Sequence, residues 1–278
     1  VPLRGGTLSA LDRLGLIRDA FALAEGGVIS TVDALSLVSE YKNEKSYTVW
    51  AELATHVHKI FRLSLAETYR ERYTKFAGSI FADAAKKVGF APKKQDDHEA
   101  ILLRSLILGN AGEYGHSETV LGAKKMMQSF LDNDVPVPAD IRGAVYGIAS
   151  KNAGTKEFRE IMLRYKKETL HEEKNRLGGA LGDFKDPKIL KLACDFSMSK
   201  NVRTQDTVGI LSSVGSNPFG RDVWWNFIKK NWNTLVSRYG QGGHTLGRLI
   251  KAIAASPEEK HFKDFKIFAE FIFNFKDN

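Results

Sequence analysis

The sequence predicts an all-α protein, an irregular α-solenoid of stacked antiparallel helical hairpins of HEAT or armadillo type. Three observations predict it. Apolar residues recur at three- and four-residue spacing along most of the chain, the period of one helix face. Ser, Thr and Asp at the starts of these runs, with Gly and Pro at their ends, supply start and stop signals. No segment alternates apolar and polar residues for long enough to make a strand. The reading gives about 12 to 14 helices with short links, so neighbours fold back antiparallel, in hairpins of about 35–45 residues. No fixed-period repeat is visible, hence an irregular solenoid.

Residues 1–8 read as a linker, because Pro2, Gly5 and Gly6 disfavour regular structure. Ser9 caps a helix carrying Leu11, Leu14, Ile17 and Phe21, which stops at Gly26–Gly27. Ser30 with Asp33 forms a capping-box pattern for the next helix. Ser46 opens a third, with Tyr47, Trp50, Leu53, Val57 and Ile60 on one stripe. A long helix is expected from about Ala66 to Val88, ended by Gly89 and Pro92. Asp96 or Asp97 starts the next, and Ser117 the one after. Pro138 suits the first turn of a helix over 139–149. Thr155 begins an amphipathic helix with Phe158, Ile161 and Tyr165. Thr169–Pro187 is a charged helix start that breaks on Gly178–Gly179. Pro187 opens a helix capped by Asp186, and Thr204 caps another. Arg221–Tyr239 reads as one strong helix, and two more finish the chain. Trp224 and Trp225 are adjacent, so one core and one surface tryptophan are expected.

The chain has 278 residues, 43% hydrophobic and 27% charged, ample for a buried core. No apolar run approaches the roughly 20 residues of a membrane span, so no membrane partner is expected. The single cysteine, Cys194, lies in an apolar helical pattern and reads as a buried inert thiol. One thiol suits a reducing compartment, and a cytoplasmic location is expected. The net charge of +8 is dispersed among acids, as at Lys93–Lys94 beside Asp96–Asp97, so nucleic acid is not an expected partner.

Catalytic chemistry is hard to place in this chain. A helical zinc-peptidase site needs two His at i and i+4 on one face. His98-Glu99 and His171-Glu172 each lack the second His, and His56 and His58 point to different faces. No metal ligand, cofactor or catalytic residue is expected. Glu172 and Glu173 are adjacent and diverge by about 100° on a helix, so they do not converge as an acid/base pair. Gly240–Gly243 lacks the pattern of a phosphate loop and reads as a helix stop.

Five segments occur in order: DRLGLIRDAFALAEGGVIST (12–31), NEKSYTVWAEL (43–53), EEKNRLGGALG (172–182), VRTQDTVGILSSVG (202–215) and WWNFIKKNWNTLVSRYGQGG (224–243). Together they resemble the C-terminal helical domain of the zinc gluzincin aminopeptidases, most closely the puromycin-sensitive branch. The catalytic HExxH and GAMEN motifs of that family are absent from this sequence. The resemblance implies a helical domain, over residues 9–278, that caps a zinc-bearing catalytic domain. It would enclose a peptide cavity and move between open and closed forms. The implied partners are that catalytic domain and peptide substrates. Zinc would belong to the catalytic domain, not to this chain.

Lys174, Asn175, Arg176 and Arg203 are the candidates for lining the cavity, since Lys and Arg suit a peptide's carboxylates. The alternative is that Arg176 and Arg203 pair with local acids such as Glu172, Asp183 or Asp206. The sequence departs from the family at Gly178–Gly179, where a helix normally continues. It also ends earlier than the family domain. That end leaves Phe262, Phe265, Phe268, Phe271 and Phe273 as a poorly covered apolar face through which the chain would self-associate. A competing reading is a free-standing helical scaffold that binds a protein partner.

Overall fold

Local capping explains where the first helices begin. In the computed structural model Ser9 accepts the Asp12 N–H at 3.2 Å, and the Asp12 carboxylate accepts the Ser9 N–H at 3.1 Å. Ser30 and Asp33 repeat this reciprocal box at 3.1 and 3.3 Å. Each cap satisfies donors that a helix start leaves open and is worth about 1 kcal/mol. The structure describes residues 8–240, 245–254 and 258–274. The expected linker therefore lies almost wholly outside the described residues.

The described residues are all-α, with fifteen α-helices, three short 3-10 turns and no strand. They form two compact units, Val1–Ile148 and Ala149–Asn278. The first begins with α1 (Ala10–Glu25), α2 (Thr31–Val38), α3 (Tyr47–Leu63), α4 (Arg70–Val88), α5 (His98–Glu113) and α6 (Ser117–Asn133). A helix α7 (Arg142–Lys151) follows a 3-10 turn at Ala139–Ile141. The second unit contains α8 (Thr155–Lys167), α9 (His171–Leu181), α10 (Pro187–Ser197), α11 (Thr204–Ser216) and α12 (Arg221–Lys230). It ends with α13 (Trp232–Tyr239), α14 (Thr245–Ala254) and α15 (Glu259–Asn274). Within each unit a helix packs on the next and often on the next but one: α1 on α2 and α3, α10 on α11 and α12. This pairwise packing is that of a helical-repeat domain.

Charged staples fix the first unit. Arg13 grips Glu44 with two hydrogen bonds, at 2.7 and 2.9 Å, and Glu44 also accepts the Lys45 and Ser46 N–H groups. Burial pushes the Glu44 carboxyl up, but these donors hold it below the usual carboxylate range. Ser46 stands at the N-cap of α3, but its hydroxyl does not cap the helix and donates to Glu99 at 3.1 Å. Glu99 of α5 reaches across instead and accepts the Tyr47 N–H at 2.7 Å. Buried Arg104 pairs with Asp96 ahead of α5.

Several sequence expectations are corrected. The long fourth helix starts only at Arg70, after a 3-10 turn at Ser64–Ala66. Thr204 lies inside α11, whose N-cap position is Arg203. Residues 221–239 are two helices, because the backbone leaves α geometry at Asn231, whose side chain bonds the Phe227 carbonyl at 2.9 Å. Trp224 and Trp225 are both buried. Trp225 packs edge-on against Phe268 of α15 at 5.1 Å, and its indole N–H donates to Asp264 at 2.8 Å. α12 is thus covered on two sides, by α10 and α11 and by α15. The same packing covers part of the apolar face expected on the last helix. Phe265 and Phe268 lie on tryptophans, whereas Phe262 is 66% exposed. The side chains of Phe271 and Phe273 lie outside the described residues.

Cys194 is fully buried on α10, and that burial pushes its thiol up to about 12. Thiolate, the reactive form, is then scarce at neutral pH. Alkylation by iodoacetamide at pH 8 is expected to be at least about 100-fold slower in the native protein than in urea. Comparable rates, followed by mass spectrometry, would show that the site is open.

Candidate functional site

The candidate site is built around the first turns of α9. Leu170 precedes this helix in extended conformation, and His171, Glu172 and Glu173 form its first turn. Acids there suit the helix dipole. The helix continues through Gly178 and Gly179 to Leu181, so the expected glycine break does not occur. Gly178 faces α11: an added Cβ would lie 3.1 Å from Ile210 Cγ1 and 3.5 Å from the Tyr165 ring. The glycine lets α8, α9 and α11 approach closely, which offsets its poor helix propensity.

The two glutamates diverge as their spacing requires. Glu172 projects into solvent and Glu173 is buried. Arg176 lies one turn on and bridges them, at 3.3 Å to Glu173 and 3.9 Å to Glu172. Arg203, at the start of α11, forks onto Asp206 with bonds of 2.7 and 3.0 Å. That pairing holds the Arg203 guanidinium still more firmly protonated than usual. Its third contact is His171 Nε2, at 3.0 Å. A guanidinium can only donate, so His171 Nε2 is the acceptor. Both arginines are therefore paired with local acids, one of the two arrangements the sequence left open.

Lys174 differs. Its ammonium sits over the Tyr165 ring, 5.3 Å from the centroid, and has no carboxylate partner among the described residues. Asn175 is exposed on the next position of the helix. Tyr165 is the residue the sequence did not single out, because it lies in the apolar stripe of α8 and reads as core. It is core, at 1% exposure, yet its hydroxyl has no hydrogen-bond partner among the described residues. Burial pushes that hydroxyl up to about 12; Asp206 adds to the effect and Arg203 opposes it. The fold thus brings Lys174, Arg176 and Arg203 together with His171 and Tyr165 on α8, α9 and the start of α11.

With both arginines paired, Lys174 is the one cation of this set without a carboxylate partner among the described residues, and the described residues of the set include no nucleophile held against a base. Among the described residues no three His, Cys, Asp or Glu side chains are grouped to hold a metal ion. The residues present do not fit a zinc centre. No described helix is long and apolar enough to cross a membrane.

A match to the ERAP1-like C-terminal domain covers residues 2–270. The chain is 33% identical over 257 residues to aminopeptidase M1 of Arabidopsis thaliana, covering 90% of this chain and 29% of that protein. It is 31% identical over 246 residues to glutamyl aminopeptidase of Bos taurus, covering 87% of this chain and 25% of the relative. The human glutamyl aminopeptidase is 30% identical over 248 residues, at 88% and 26% coverage. The chain therefore spans under a third of the length of these relatives. Their names point to the family as a whole and do not single out its puromycin-sensitive branch. The chain belongs to the ERAP1-like C-terminal domain family, the helical C-terminal part of the M1 aminopeptidases.

Proposed function

We propose that this chain is the non-catalytic helical domain of a zinc-dependent aminopeptidase that removes N-terminal residues from peptides. It encloses the catalytic cavity, contributes to domain closure, and meets the part of the peptide far from the scissile bond. The family match over nearly the whole chain supports the first part. The hydrolytic zinc chemistry would then belong to a catalytic domain elsewhere in a longer protein.

The observation that carries the peptide-binding role is the spare charge of Lys174. Arg176 and Arg203 are neutralised by their acids and act chiefly to hold the surface in shape. Lys174 and exposed Asn175 remain to meet a peptide carboxylate. An exposed ion pair of this kind is worth up to about 1 kcal/mol. In the full-length enzyme, Lys174→Ala is expected to raise KM about threefold to fivefold for acidic peptides of ten residues, with kcat nearly unchanged. Hydrolysis of an aminoacyl anilide, too short to reach the domain, should not change. An unaltered KM on the long peptides would remove Lys174 from the cavity.

A further inference from the structure

The first unit contains a cleft that none of the features above uses. It lies among α1, α2, α3 and α4 and has a volume of about 700 Å³. That is within the roughly 300–1,000 Å³ of small-molecule pockets. Its walls are apolar: Phe21, Leu35, Ile60 and Phe76 line it, and His56 stacks flat on Phe21 at 4.2 Å. Large apolar side chains also stand exposed around it, Val32 at 69% and Leu63 at 56%. A cleft edged by exposed Val and Leu leaves more apolar surface in water than isolated surface residues do.

The charges of the lining are unbalanced. Glu25 is the one carboxylate among the described lining residues, and Lys59 takes it up in a 2.6 Å ion pair. Glu52, beside His56, is engaged by Arg18 at 3.1 Å and by His56 Nε2 at 3.2 Å. Arg72 also lines the cleft, is exposed, and has no ion-pair partner among the described residues. The lining therefore carries one uncompensated positive charge beside an apolar, half-open cleft. A single anionic group on an apolar body complements both features.

We propose that this cleft is a binding site for a free amphipathic monocarboxylate, such as a medium-chain fatty acid. The chain enters among Phe21, Leu35, Ile60 and Phe76, and the carboxylate meets the Arg72 guanidinium. The fork of the guanidinium suits a carboxylate, and the apolar walls supply affinity in proportion to buried length. Each methylene that enters should tighten binding about fourfold.

Calorimetric titration of the 278-residue chain with decanoate, dodecanoate and 1-decanol tests the assignment. One site per chain is expected, with dodecanoate at least about tenfold tighter than decanoate. Decanoate should bind about fivefold tighter than decanol, and Arg72→Ala should erase that difference while leaving decanol binding intact. Ser36 lines the cleft from an exposed position on α2, so Ser36→Trp fills the cleft without disturbing the core. That variant should unfold at the wild-type temperature and bind dodecanoate at least about 30-fold more weakly. Unsaturable binding, or dodecanoate affinity untouched by Ser36→Trp, would overturn the site. Equal affinity for acid and alcohol in the wild-type chain would overturn the carboxylate. Tight binding of an apolar peptide amide, without binding of either fatty acid, would assign the cleft to another polypeptide and reject the proposal.

Discussion

Replacing Gly182 by alanine is expected to destabilise the second unit by about 3 kcal/mol, whereas the same change at Gly179 stabilises it by about 0.5–1 kcal/mol. The two glycines are three residues apart at the end of α9. A Cβ on Gly182 would sit 2.4 Å from Ser213 Oγ, 2.6 Å from Ser213 Cβ and 2.7 Å from the Val214 backbone nitrogen. The Val214 backbone belongs to α11 and cannot swing aside. Relief requires α9 and α11 to separate. That separation would pull the Ser213 hydroxyl from the Gly179 carbonyl, which it bonds at 2.7 Å. Gly182 has ordinary right-handed helical dihedrals, so the penalty comes from crowding and not from backbone strain. Gly179 meets nothing within 4 Å, so alanine there only lowers the entropy of the unfolded chain. Gly178 is intermediate: its near neighbour is the Ile210 side chain at 3.1 Å, which can give, and alanine should be within about 0.5 kcal/mol of neutral. Thermal melts of the three variants should spread over about 10 °C with opposite signs at the ends. Equal shifts at Gly179 and Gly182 would refute the close approach of α9 to α11.

Asn217→Asp is expected to destabilise by about 3 kcal/mol at pH 7 and to recover part of that loss on acidification. Asn217 is buried at the end of α11. Its amide donates to the carbonyls of Gly182 at 2.8 Å and Phe184 at 2.6 Å, and its oxygen accepts the Phe219 N–H at 3.0 Å. One side chain therefore ties the loop after α9 to the loop before α12. A carboxylate at this position accepts but cannot donate, so it would face two carbonyl oxygens without a proton between them. Desolvation and those oxygens raise the folded-state pKa of the aspartic acid above its unfolded value near 3.9. A raised folded pKa means the native state binds the extra proton more tightly. The handicap is full above the folded pKa and shrinks as pH falls toward the unfolded pKa. Urea unfolding of the variant at pH 7.5 and pH 4.5, each against wild type, checks the sign. A difference from wild type that grows on acidification would show that the amide does not bridge the two carbonyls.

The sequence by itself determined the parts of this protein that depend on neighbours within one helical turn. The Ser9 cap, the capping box at Ser30–Asp33, and Asp186 with Pro187 at a later helix start are in place as read, and the structure adds Asp12 as the reciprocal partner of Ser9. So are the all-α class and the apolar stripes, because capping and periodicity are local properties of the chain. The divergence of Glu172 from Glu173 follows from the same geometry.

Tertiary structure decided what distance in sequence conceals. Gly178 and Gly179 read as a helix break because glycine lowers helix propensity, yet α11 packs against the space that Gly178 leaves open. Ser46 reads as the cap of α3, but the acceptor for that helix start is Glu99, 52 residues from Tyr47. Trp224 and Trp225 read as one core and one surface residue because a lone helix has only one buried stripe, and α15 supplied a second, against which Trp225 packs. At the candidate site the sequence gathered Lys174, Asn175, Arg176 and Arg203 without distinguishing them. Only the fold separated the two arginines, each bound to an acid, from Lys174, whose ammonium lies over the Tyr165 ring with no carboxylate partner among the described residues. Partner choice among charged side chains depends on which helices pack together, and residue order within a single turn does not encode it.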